Sequence, residues 1–118
     1  MAEPAPLGVG IDLEAPEALG HLDQAALCRA AERWLTAAER AWCAEQSSLG
    51  ESLVVVLSCK EAVFKARPGP GPGPVHEVRL ALEGTPEAGR ARTEDGPVTV
   101  RVRWRRWRGQ VATVAVAR

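Results

Sequence analysis

Tyrosine is absent from this sequence of 118 residues, phenylalanine occurs once, and aromatic residues amount to only 4%. Hydrophobic residues make up 46%, so the interior has to be built mainly from alanine, valine and leucine, with four tryptophans adding bulk. No apolar run approaches the roughly 20 residues of a membrane helix. Residues 1–6 also lack the basic and apolar segments of a signal peptide. We therefore expect a soluble, cytoplasmic protein with no membrane partner.

Net charge is also lacking, because 15 basic residues balance 15 acidic ones. A dedicated nucleic-acid-binding domain would carry a basic excess, so this class is disfavoured. The three cysteines, Cys28, Cys43 and Cys59, are odd in number and do not have the spacing of a metal site. Reduced thiols are the simpler interpretation, in keeping with an intracellular compartment.

Lysine is the scarcest of the charged residues. Thirteen of the fifteen basic residues are arginine, and both lysines, Lys60 and Lys65, lie in one nine-residue segment from Ser58 to Ala66. Arginine does not reproduce the compact ammonium group of lysine. The bias therefore suggests that these two positions require an ammonium group.

The hydrophobic pattern predicts an α+β fold in one domain, residues 1–118, with an antiparallel sheet packed on three helices. The predicted strands cover residues 7–14, 78–82, 98–104 and 111–117, and the predicted helices cover 24–35, 36–46 and 51–66. Asp23 is the expected N-cap of the first helix, and Thr36 with Glu39 forms a capping box for the second. Residues 1–6 are a loose lead, 67–75 form a Gly/Pro loop, and 87–97 are a polar connection.

Two acidic residues share one face of the first predicted strand. Side chains two positions apart point the same way, so Asp12 and Glu14 lie together, opposite Leu7, Val9, Ile11 and Leu13. Two carboxylates at this separation repel unless a cation lies between them. Carboxylate oxygens suit Mg²⁺, although an ordinary solvated strand face would give the same pattern.

A second acidic position lies in the third predicted helix. Glu61 and Lys65 are four residues apart and share a helix face. They could form a surface pair worth about 0.3 kcal/mol. Together with Asp12 and Glu14, however, they could converge on a magnesium ion and a pyrophosphate.

These motifs together resemble the 4′-phosphopantetheinyl transferase superfamily. The segment from Gly10 to Glu14 is similar to its G-[IV]-D signature with DxE, and the segment from Lys60 to Ala66 is similar to its K-E-[AS]-x-x-K signature. Between them, Arg33 to Glu39 is similar to the R-F-x-x-x-E stretch of the family. The match covers roughly residues 8–67.

The resemblance implies Mg²⁺-dependent transfer of 4′-phosphopantetheine from coenzyme A to a serine of an acyl or peptidyl carrier protein of fatty-acid or polyketide biosynthesis. It places Asp12, Glu14 and Glu61 as metal ligands. Glu61 is also the candidate general base and Lys65 a catalytic contact to the coenzyme A phosphates. Lys60 and Gly10 are the remaining cofactor-binding candidates.

The size resembles the holo-acyl-carrier-protein synthases, which form homotrimers with active sites between subunits, whereas the DxE belongs to the surfactin-type branch. A homo-oligomer, dimer or trimer, is therefore expected, or a domain from the C-terminal end of a polyketide synthase. Leu57 replaces the tryptophan of the signature, and no S-x-S-H motif occurs around His21 or His76. These differences favour an alternative in which the chain is a non-catalytic relative that binds a carrier protein or assembles a synthase.

A run of alternating arginines between Val100 and Arg108 allows a more distant alternative, a basic nucleic-acid-binding module. A sheet with arginine on its solvent face and valine and tryptophan on its buried face explains the same pattern. We regard a nucleic-acid partner as the weaker interpretation.

Overall fold

A computed structural model describes residues 5–67, 77–94, 96 and 98–118 of the chain. The elements in chain order are β1 (Gly8–Glu14), α1 (Gln24–Trp34), α2 (Ala37–Ala44), α3 (Leu49–Ala66), β2 (Leu80–Gly84), β3 (Ala88–Thr93), β4 (Val100–Trp107) and β5 (Gln110–Ala117). The strands form one antiparallel sheet in the order β1-β5-β4-β3-β2. The predicted α+β class, with three helices on an antiparallel sheet, is confirmed. Most of the predicted Gly/Pro loop and of the N-terminal lead lies outside the described residues.

The first two helices begin at their predicted capping residues, whereas α3 begins at Leu49, two residues before its predicted start. The Asp23 carboxylate accepts a hydrogen bond from the backbone N–H of Ala26 at 2.8 Å. The Thr36 hydroxyl accepts from the N–H of Glu39, and the Glu39 carboxylate accepts from the N–H of Thr36, which completes the capping box. Ser48 caps α3 in the same way through the N–H of Glu51. These bonds satisfy N–H groups that have no partner within the helix.

The predicted polar connection at residues 87–97 is wrong in its first part, because β3 occupies Ala88–Thr93. The segment carries no large apolar residue, so it has no strand signal of its own. It is held instead by pairing with β2 on one side and β4 on the other. At Gly89 a side chain would overlap the indole of Trp104, so the ring packs directly on the strand backbone.

The core lies between the sheet and α3. Eleven of the eighteen residues of α3 are buried, and they pack against inward side chains such as Val100, Val102 and Val111. Trp42 of α2 meets Trp104 of β4 edge to face, with 5.8 Å between the ring centres. In the described part of the chain, no helix is long and apolar enough to cross a membrane.

Among the residues that the structure describes, no helix covers the other face of the sheet, which is divided into two halves. The apolar half is formed by β1 and β5, where the side chains of Leu7, Val9, Ile11, Leu13 and Val114 are 44–63% exposed. The arginine half is formed by β3 and β4, where the following arginines are exposed: Arg90, Arg92, Arg101, Arg103 and Arg105. The buried face of β1 therefore carries Gly8, Gly10, Asp12 and Glu14, while its apolar residues face outward.

Candidate active site between the first strand and the third helix

Glycine determines how closely β1 approaches α3. A side chain at Gly8 would overlap the carbonyl oxygen of Ala66, and one at Gly10 would overlap that of Ala62. Two strand residues advance about 6.8 Å and four helix residues about 6 Å, so the contacts stay in step along the two elements. The next pair in this series is Asp12 opposite Ser58.

Asp12 is the most firmly held of the three predicted metal ligands. Its side chain is 8% exposed, and its Oδ2 atom accepts a hydrogen bond from the Ser58 hydroxyl at 2.7 Å. The Ser58 hydroxyl is also 2.8 Å from that of Thr113, the β5 residue paired with Asp12 across the sheet. The second oxygen, Oδ1, lies 3.4 Å from the ammonium of Lys65.

Glu14 lies two residues after Asp12 on the inner face of β1, and the negative charges of two other carboxylates act on it. Burial raises the pKa of Glu14 above its ordinary value, and the charges of Asp12 and Glu61 raise it further, while Lys65 lowers it. The charges of Asp12 and Glu61 thus both act on Glu14, and we refer to these three residues as the carboxylate cluster. Like charges gathered in this way are stabilised by a cation.

The donor set of this cluster fits a magnesium ion, which uses carboxylate oxygens together with phosphate oxygens and water. Glu61 is half-buried and makes no hydrogen bond or ion pair with any described residue, so both of its oxygens are available. As they stand, no three His, Cys, Asp or Glu side chains within the described residues are grouped closely enough to hold a metal. Because Mg²⁺ usually takes one or two protein carboxylates, a preformed set of three is not required.

The two lysines of the segment have different surroundings. The side chain of Lys65 is half exposed, and its ammonium donates to the carbonyl oxygen of Ile11 at 3.0 Å beside the carboxylate cluster. Lys60 is fully buried, 2.8 Å from a carboxylate oxygen of Glu39, and donates to the carbonyl oxygen of Trp34. The surface pair between Glu61 and Lys65 that spacing alone would allow is replaced by the contact between Lys65 and Asp12.

These positions separate the predicted cofactor-binding residues into two groups. Lys65 lies at the cluster, where a phosphate could reach it. Lys60 is enclosed in the core, and Gly10 is buried beneath α3, where its lack of a side chain is explained by the Ala62 carbonyl. Both positions serve the packing of α3 in this structure.

A mainly apolar pocket of about 380 Å³ opens beside the cluster. It is lined by Glu14, Ala18, Leu19, Trp34, Val54, Leu57, Ser58 and Glu61. Leu57 occupies the position where the resembled signature has tryptophan, and the indole of Trp34 lines the same pocket from the end of α1. The pocket therefore places an apolar surface next to two carboxylates.

The sequence patterns did not predict three features of the site: the contacts of Ser58, the contacts of Thr113, and those that Glu39 makes in addition to its helix cap. Besides capping α2 and pairing with Lys60, the Glu39 carboxylate accepts a hydrogen bond from the N–H of Leu80 at 2.8 Å. It thereby joins α2, α3 and β2. Partners that lie 41 to 55 positions apart leave no local sequence signal.

Comparison with known proteins agrees with the architecture. No curated protein matches the chain. The family model described as the 4′-phosphopantetheinyl transferase superfamily matches residues 8–115 of the 118, which includes all five strands and all three helices, apart from the last two residues of β5. The chain belongs to the 4′-phosphopantetheinyl transferase superfamily.

Proposed function

We propose that this transferase moves 4′-phosphopantetheine from coenzyme A to a serine of an apo acyl or peptidyl carrier protein, with Mg²⁺, and releases 3′,5′-ADP. The observation that carries the proposal is the convergence of Asp12, Glu14 and Glu61 with the ammonium of Lys65 where β1 meets α3. The family accounts for coenzyme A and a carrier protein as substrates. The metal and the roles of individual residues are our assignment.

In this proposal Asp12, Glu14 and Glu61 hold the ion, which supplies charge neutralisation for the pyrophosphate of coenzyme A. Lys65 exchanges its contact with Asp12 for the phosphate oxygens, to which it presents a compact positive charge. Glu61 accepts the proton of the carrier serine, directly or through water. The serine oxygen then bonds to the β-phosphorus, and the bond between that phosphorus and the oxygen leading to 3′,5′-ADP breaks.

The test is the intact mass of an apo acyl carrier protein after incubation with the chain, coenzyme A and Mg²⁺. We expect the carrier to gain the mass of one phosphopantetheine. Glu61→Gln should reduce the rate at least about 100-fold, because it removes a general base and a metal ligand. Glu32→Gln, on the exposed surface of α1, is the matched control and should leave the rate unchanged. A folded chain that modifies no carrier would contradict the enzyme assignment.

We also propose that the apolar half of the outer sheet face is covered by a second copy of the chain, as expected for a homo-oligomer with active sites between subunits. Exposed apolar side chains on both β1 and β5 support this, because contiguous apolar patches mark association sites. Ile11→Thr keeps a β-branched residue and removes apolar area. It should reduce the molar mass measured by light scattering. A wild-type chain that is monomeric at tens of micromolar would contradict this part of the proposal.

A non-catalytic relative is the second candidate, favoured by the contact of Lys65 with Asp12 and by the lack of a ready three-carboxylate group in the described residues. It predicts that the chain binds an apo carrier without changing its mass. A basic nucleic-acid-binding module remains the more distant alternative. It predicts salt-sensitive retention on a polynucleotide column, and lack of retention would eliminate it.

A further inference from the structure

A chain of three buried side chains runs from β5 through α3 to β1. Thr113 is fully buried, Ser58 is 1% exposed and Asp12 is 8% exposed. The Thr113 and Ser58 hydroxyl oxygens are 2.8 Å apart, and the Ser58 oxygen is 2.7 Å from Oδ2 of Asp12. The three residues belong to three different elements, so their meeting depends on the assembled fold.

Only one assignment of donors and acceptors fits the two hydrogen bonds that join these groups. An ionised carboxylate can only accept, so the single proton of the Ser58 hydroxyl is directed to Asp12. The hydrogen bond between the two hydroxyl groups must then be donated by Thr113. A hydrogen bond to an ionised acceptor is about twice as strong as a neutral one, and 2.7 Å is short enough for this class.

The bond matters because the carboxylate of an aspartate turns easily. Rotation about the bond to an sp² carbon has a broad, shallow profile, and the neighbouring charge of Glu14 repels the Asp12 group. With Oδ2 bonded to Ser58 inside the fold, Oδ1 is the oxygen that faces Lys65. The orientation of this oxygen is therefore set by a residue that is outside the carboxylate cluster.

We propose that Ser58, with Thr113 behind it, is a positioning residue that holds the Asp12 carboxylate with one oxygen directed at the metal. This rests on the proposed function, since it concerns the same ligand. Partners of this kind, one step removed from the metal, typically change affinity 10- to 100-fold when they are lost.

The test compares Ser58→Ala with Ser52→Ala. Ser52 is on the same helix and fully buried, but its hydroxyl donates to the backbone carbonyl of Ser48, away from the cluster. Mn²⁺ replaces Mg²⁺ as the probe, and its binding is followed by electron paramagnetic resonance in the presence of coenzyme A. We expect about a tenfold weaker Mn²⁺ affinity for Ser58→Ala and less than a twofold change for Ser52→Ala.

A second pair of variants tests the direction of the hydrogen bonds. Thr113→Ser keeps the donor and should keep the wild-type affinity, whereas Thr113→Val removes the donor at nearly constant volume and should weaken Mn²⁺ binding. In the transfer assay, Ser58→Ala should raise the half-saturating Mg²⁺ concentration about tenfold and leave KM for coenzyme A unchanged.

The outcomes separate this inference from the function on which it rests. If the wild type transfers phosphopantetheine and Ser58→Ala, shown to be folded by circular dichroism, binds Mn²⁺ as tightly as the wild type, the positioning role is wrong and the transferase stands. If the wild type neither binds Mn²⁺ nor modifies a carrier, the magnesium site fails, and the positioning role fails with it.

Discussion

At the scale of single residues, Lys60 shows how a motif residue can belong to the core. Its ammonium and the Glu39 carboxylate are both fully buried and 2.8 Å apart. Removing one partner of such a pair leaves a buried charge uncompensated, at a cost of about 3–5 kcal/mol. Glu39 has two further hydrogen bonds, to the N–H groups of Thr36 and Leu80, so the loss would affect several elements.

We therefore expect Lys60→Met to lower the free energy of unfolding by about 3–5 kcal/mol, measured by urea denaturation. The double variant Glu39→Gln with Lys60→Met should lose less, because no charge then remains buried. KM for coenzyme A should be unchanged for the folded fraction of Lys60→Met. A stable variant with a raised KM would instead support the sequence prediction that Lys60 binds the cofactor.

The cysteines differ in reactivity for reasons of burial. Burial, reinforced by the charge of Glu39, raises the pKa of the Cys43 thiol to about 11. Complete burial raises the pKa of Cys59 as well, and Cys28 is exposed. Since the thiolate is the reactive form, a disulfide reagent at pH 8 should titrate one thiol of the native chain and all three in guanidinium. Rapid native reaction of two or three thiols would contradict the packing of α2 and α3.

At the scale of elements, the contact between β1 and α3 controls the site. Gly10→Ala places a methyl group where the Ala62 carbonyl lies, so the strand must move away from the helix. We expect a loss of about 1–3 kcal/mol in the free energy of unfolding, the usual cost of overpacking. The movement also separates Asp12 from Ser58, so Mn²⁺ binding should weaken.

Gly50→Ala is the matched control for this prediction. A methyl group at Gly50, in the first turn of α3, would meet only Leu27 at 3.7 Å. Alanine is the better helix former, so this variant should be neutral or more stable by up to about 1 kcal/mol. Equal stability of the two variants in thermal unfolding would show that the close approach of β1 to α3 is misplaced.

The elements also show what a sequence can predict here. The first strand and the capping box of α2 follow from residues at most seven positions apart, and both were predicted. The DxE pair and the Glu-Lys spacing pointed to Asp12, Glu14 and Glu61 as metal ligands, which stays a prediction. The strand at Ala88–Thr93 was missed because its inward residues, Gly89, Ala91 and Thr93, include no large apolar side chain, and pairing with both neighbours supplies its stability. Ser58 was missed because its two partners lie 46 and 55 positions away.

At the scale of the whole molecule, the arginine half of the outer face brings like charges together. Arg92 is directly opposite Arg101, and Arg90, which forms an ion pair with Glu83, is opposite Arg103. Among the described residues Arg92, Arg101 and Arg103 make no ion pair. Directly opposed like charges destabilise a sheet. These arginine pairs should therefore lower the free energy of unfolding that the valine-rich inner face supplies.

Arg101→Glu converts one like-charge pair into an opposite-charge pair. We expect the free energy of unfolding to rise by about 0.2–1 kcal/mol at low salt, and the gain to shrink in 1 M salt. Arg29→Glu, on the exposed surface of α1, is the control and should change stability by no more than about 0.5 kcal/mol. A loss of stability in Arg101→Glu would show that the arginine pairs are not in repulsive contact.

The pairing of β1 with β5 has a consequence for folding during translation. Residues about 100 positions apart in the chain, Gly8 and Ala117 among them, are neighbours in the sheet. The Ser58 hydroxyl that donates to Asp12 is in turn hydrogen-bonded to Thr113 of β5, so we expect the carboxylate cluster to take its final form only after residues 110–117 have left the ribosome. Contacts of such high sequence separation slow folding. Ribosome-bound chains arrested before this strand emerges should therefore stay sensitive to protease and bind no metal.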